Sequence, residues 1–68
     1  MRNAEAVGLI YRSLSSEERE LMYTVKEKGK DFLDLIDQIG TSEELSVAKR
    51  RVEEAVMWAV KHISAAQS

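Results

Sequence analysis

The sequence predicts an all-α chain: a short N-terminal helix, then an antiparallel hairpin of two long helices, assembled into a helical homo-oligomer. Three observations lead there. The 68 residues include no proline and only three glycines, so little interrupts a helix. Two long stretches carry apolar residues at three- and four-residue steps, the spacing of one helical face. Finally, so short a chain buries a small fraction of its surface, and without cysteine it has no disulfide to compensate, which leaves self-association as the staple.

Residues 3–14 suit a short helix, weakened by Gly8 and ending before the Ser-Leu-Ser-Ser run, with Val7, Leu9, Ile10 and Leu14 in need of cover. Ser15 followed by Glu18 is a capping-box signature, and Glu17, Glu18 and Glu20 favour a helix start electrostatically. The helix that begins there is expected over residues 16–39, with Leu21, Met22, Val25, Phe32, Leu33, Ile36 and Ile39 on its apolar face. Gly40 suits the left-handed position that closes a helix, and Thr41 with Glu44 reads as the capping box of the next. That helix, over residues 42–65, aligns Leu45, Ala48, Val52, Ala55, Ala59 and then His62 or Ile63 into a seam. A link this short makes the helices antiparallel neighbours within one domain, residues 1–68.

Within the second helix, Ala-Val-Met-Trp-Ala-Val is apolar without a break and therefore apolar all round. One partner helix cannot cover it. Val56, Met57, Trp58 and Val60 are the expected oligomer interface, with Trp58 as its anchor.

Composition excludes several classes of function. A net charge of -2, from 10 basic and 12 acidic residues, describes a mixed surface rather than one that coats DNA, RNA or a membrane. The opening stretch MRNAEAVGLIYRS is too short an apolar segment to span a bilayer or serve as a signal, so a cytoplasmic location is expected. The single histidine, His62, has no cysteine partners for zinc and reads as a helix-end residue; the carboxylates read as caps and solvated faces. No catalytic residue, metal or cofactor is expected.

Binding chemistry remains. Lys26 and Lys30 lie four residues apart on one side of the first long helix, where like charges repel and an anion would be welcome. Lys26 also borders the stripe of Met22, Val25, Gly29 and Leu33, on the rim of a packed interface. Gly29 lies inside that stripe, where alanine would favour the helix by roughly 1 kcal/mol. Its missing side chain admits either close packing against another helix or room for a ligand between chains. Tyr11, followed by Arg12, offers a flat face for stacking or a cap for the core.

Taken together, IYRSLSSEERELMYTVKEKGKDFLDLI followed by EEAVMWAVKHI resembles the small phage helical-hairpin family that includes anti-CBASS cyclic-nucleotide sponges. It is similar also to the hairpin domain of Thoeris anti-defence sponges. The resemblance runs from about Tyr11 to Ile63 and is carried by Tyr-Arg-x-Leu-Ser, by Leu-Met-x-x-Val-Lys-x-x-Gly and by Glu-Glu-Ala-Val-Met-Trp-Ala.

The resemblance implies a homo-oligomer, typically a hexamer, that holds a cyclic dinucleotide of 3′,3′-cGAMP type in the infected host's cytoplasm without cleaving it. By motif position, Tyr11 stacks on a base and Lys26 engages phosphate, with the ligand between chains. Arg12, Gly29 and Lys30 are added as neighbours of those positions. One departure is Ser42 to Ala48, SEELSVA, which lacks the basic residues often found there and so speaks against a second site for a larger ligand such as a cyclic trinucleotide. The competing expectation is a small oligomeric protein-binding module with no nucleotide ligand.

Overall fold

In the computed structural model, residues 14–65 are described, and they form a hairpin of α1 (Ser16–Ile39) and α2 (Glu43–Ala65). The short helix expected over residues 3–14 lies outside the described residues except for Leu14, which is not helical.

Sequence sets the ends of both helices. Ser15 is the N-cap of α1: its hydroxyl accepts from the Glu18 N–H at 3.0 Å, and its own N–H donates to Glu18 Oε1 at 2.9 Å. The capping box is therefore complete. At the far end Gly40 adopts φ 150° and ψ -155°, and its N–H reaches the Ile36 carbonyl at 3.4 Å. This is an extended positive-φ conformation rather than the compact left-handed one, and it is open to glycine almost alone.

The extended glycine shifts the next cap. Ser42, not Thr41, closes the start of α2: Ser42 Oγ accepts from the Leu45 N–H at 3.0 Å, and its carbonyl accepts from the Ser46 N–H at 3.0 Å. Glu44 is thus too early to complete a box.

The register follows from two contacts. Asp37 and Lys49 pair near the turn, and Gly29 meets Val56 farther along, so the helices run antiparallel. Gly29 and Ile36 are buried on α1, with Met22, Val25 and Leu33 half-buried beside them. On α2, Leu45, Val52, Val56, Ala59 and Ile63 are half-buried. Ala55, expected in the seam, is exposed, and Val56 takes its place; of the two alternatives at the end of the seam, Ile63 is half-buried and His62 exposed. Val56 belongs there because it fills the gap that Gly29 leaves.

That gap is tight. A methyl group on Gly29 would collide with Val56 Cγ2, a β-branched side chain with little rotameric freedom in a helix. The close approach accounts for glycine at this position despite its poor helix propensity.

The seam is also thin. Ile36, 2% exposed, is the buried hydrophobic residue among those described, while Phe32, Trp58 and Ile39 remain 52%, 54% and 65% exposed. Fully burying one such side chain gains about 1.5–3 kcal/mol, against about 1–2 kcal/mol for ordering each residue's backbone. The hairpin therefore lacks the core of an independent domain.

Two outcomes follow in thermal melts. Gly29→Ala lowers stability by about 1 kcal/mol, overpacking outweighing the propensity gain, whereas in a Val56→Ala background the same change raises stability; a single variant that melts higher contradicts the seam. Ser42→Ala costs about 1 kcal/mol and Thr41→Ala clearly less, the reverse order contradicting the cap.

Candidate ligand-binding site

The start of α1 is held from both sides. The Ser15 N–H is tied to the Glu18 carboxylate, while Arg19 Nη1 donates to the Leu14 carbonyl at 2.7 Å. Both polar groups of the Leu14–Ser15 peptide are thereby engaged.

Next to this junction is an open hollow of about 350 Å³, lined by Leu14, Arg19, Met22, Tyr23 and Lys26. The helical repeat explains the grouping: Arg19, Tyr23, Lys26 and Lys30 are spaced by four, three and four residues and share one flank of α1. A guanidinium, an ammonium and an aromatic ring thus border a single concavity. This set suits a flat, anionic molecule, since the cations take up phosphate and the ring offers a stacking face.

The two lysines on this flank differ. Lys30 Nζ lies 3.2 Å from Asp34 Oδ2, and hydrogen bonding with that carboxylate, followed by its charge, holds the Lys30 pKa above the ordinary lysine value. Its charge is already partly matched. Lys26 pairs with no acid among the described residues. Farther toward the turn, Lys49 Nζ bridges to Asp37 Oδ1 at 2.8 Å and ties the helices together, its pKa raised by the same causes.

Of the residues picked from the sequence, Lys26 stands at the hollow and Lys30 just beyond it, whereas Tyr11 and Arg12 lie outside the described residues. Gly29, one turn from Lys26, does not line that hollow. It sits on the floor of a second, open groove of about 560 Å³ with Ala55, Val56 and Ala59, bordered by Phe32 and Arg51. This groove is almost wholly apolar. Of the expected interface residues, Met57 and Trp58 are both 54% exposed, Val60 is half-buried, and Val56 spends part of its surface inside the hairpin. The Lys61 ammonium lies 5.1 Å from the Trp58 ring centre, a cation–π contact that covers part of the indole.

Arg19 and Tyr23 were not among the residues picked from the sequence. Their signal is the stripe itself: extending the Lys26–Lys30 spacing one turn back reaches Tyr23, and a second turn reaches Arg19.

Among the described residues, no cluster of three or more His, Cys, Asp or Glu side chains is arranged to hold a metal ion, and no helix is long and apolar enough to cross a membrane. No curated protein and no solved structure matches the chain. A family model does, over residues 7–64, and its description is the Acb2/Tad1 hairpin domain. With nearly the whole chain matched, the protein belongs to the Acb2/Tad1 hairpin family of anti-CBASS and anti-Thoeris sponges, whose role is anti-defence.

Proposed function

We propose that this chain is a phage-encoded sponge that sequesters a cyclic dinucleotide messenger of CBASS immunity, of the 3′,3′-cGAMP kind, between subunits and without cleaving it. The observation that carries this reading is the hollow where Arg19, Tyr23 and Lys26 meet the entry of the chain into α1. Tyr11 is three residues before Leu14, so its Cα is at most roughly 11 Å from that of Leu14. The tyrosine is therefore within reach of the lysine on chain length alone.

The chemistry fits binding rather than turnover. A cyclic dinucleotide offers two bases and two phosphates related by approximate two-fold symmetry. Two chains related by the same symmetry supply a Tyr11 and a Lys26 to each half. Burying the ligand between chains lowers the free messenger concentration, and the host effector stays silent. Such action belongs in the cytoplasm of the infected host.

Self-association supplies what the hairpin lacks. The apolar groove over Gly29, Ala55 and Ala59 and the exposed Met57 and Trp58 offer surface for contacts between copies. A homohexamer is the assembly proposed.

Isothermal titration against a panel of cyclic dinucleotides tests the ligand. Saturable binding by at least one is expected, and binding of none overturns the proposal. Tyr11→Ala or Lys26→Ala weakens binding about tenfold or more, as loss of a stacking or charge-assisted contact implies, with the assembly mass unchanged. Light scattering checks that assembly: a mass of several chains is expected, and a stable monomer contradicts it. A monomer that binds no nucleotide but captures a protein partner would instead favour a protein-binding module.

A further inference from the structure

We propose that the outer stripe of α1 is a contact between two copies of this chain, packed antiparallel about a two-fold axis that sets Lys28 of each copy against Phe32 of the other. The contact rests on the self-association put forward above and not on the nucleotide ligand.

Spacing and exposure together define the stripe. Leu21, Val25, Lys28, Phe32, Leu35 and Ile39 follow one another at four, three, four, three and four residues, the heptad pattern of a helix that packs against another along its length. The stripe is about 27 Å long. At 100° per residue it lies about 70° round α1 from Gly29 and Ile36, the residues buried against α2. The hairpin therefore leaves it open: Leu21, Phe32, Leu35 and Ile39 are each at least half exposed, while Val25 is half-buried.

One residue breaks the apolar run. Lys28 is exposed and makes no ion pair among the described residues. At a heptad core position, a single lysine lowers stability but selects register and orientation. In a parallel pair Lys28 would face its own copy, and the like charges would repel. In an antiparallel pair centred midway between Lys28 and Phe32, each ammonium lies against the other copy's phenyl ring, a cation–π contact. The same centre sets Leu21 against Ile39 and Val25 against Leu35. The stripe is thus complementary to itself when reversed, which is the requirement of a two-fold contact and identifies the occupant as a second copy.

α2 supports the same axis. Gly29 meets Val56 and Asp37 pairs with Lys49, so the point midway between Lys28 and Phe32 on α1 is level with Ala55 on α2. Ala55 is exposed and borders the same groove as Lys28 and Phe32. A residue at that level meets its own copy across the axis, and a methyl group lets the two α2 helices come close. The pairing builds a four-helix bundle with the apolar groove inside it.

The chain contains no cysteine, so single introduced thiols report the geometry. Leu21→Cys and Ile39→Cys chains, one of them tagged, are coexpressed and treated with a short bismaleimide. The two different chains are expected to join at least about tenfold faster than either joins its own copy, because like positions are about 27 Å apart in the antiparallel pair. Ala55→Cys, on the axis, is expected to join its own copy. Adding Lys28→Leu to the Leu21→Cys chain is expected to raise own-copy joining about threefold or more, as loss of the orienting cation implies; an unchanged rate overturns the role of Lys28.

A Leu21→Cys chain that joins its own copy as fast as it joins the Ile39→Cys chain overturns the antiparallel pairing. No joining in any combination means that another molecule or another part of the chain covers the stripe, and overturns the contact. Light scattering separates the claims, since a mass of several chains without joining overturns the stripe and leaves self-association standing. Joining as expected in a protein that binds no cyclic dinucleotide upholds the stripe and removes the sponge reading.

Discussion

The close approach of Gly29 and Val56 governs the rest of this molecule. Because the glycine adds no bulk, α2 comes near enough for Val56 to enter the seam, and the neighbouring residues turn outward. Met57 and Trp58 are left half in solvent, as is Phe32 beside Gly29 on α1. A seam so narrow shields Ile36 and little else, and the hairpin carries more apolar surface than it can cover. The proposed self-association would use the apolar surface that this same packing leaves uncovered.

The two flanks of the seam divide the chemistry. One holds an almost wholly apolar groove over Gly29, Ala55 and Ala59. The other carries Arg19, Tyr23 and Lys26, with Leu14 fixed beside them. Apolar surface is suited to chain-to-chain contact, and the charged flank to an anion. Lys30 is already paired with Asp34 within α1, and Lys49 with Asp37 across the hairpin, so neither stands open. Both pairs are exposed, so each contributes little stability in water and less as salt rises.

Much of this was legible in the sequence, for reasons that can be named. The Ser15 and Glu18 capping box needs only local geometry, and the structure contains it. Gly40 marks the break between helices because no other residue tolerates its backbone conformation, although that conformation is extended and not left-handed. What pattern could not settle is equally physical. In an unbroken apolar run, periodicity has no contrast, so Ala55 and Val56 compete for the seam until a particular gap across it selects one. Thr41 and Ser42 both offer hydroxyls, and the choice depends on how far Gly40 extends the turn. Arg19 escaped notice because its contact is with a backbone carbonyl, which leaves no mark in residue identity.

Family membership supplies the anti-defence role, and the hollow beside Lys26 is where we propose that an anionic, flat-faced messenger binds. The most direct measurement of that account is mass spectrometry of small molecules released by denaturing protein purified from cells that make cyclic dinucleotides. The account predicts an intact cyclic dinucleotide recovered in fixed proportion to the chains. Recovery of a linearised product, or of no nucleotide at all, would contradict it.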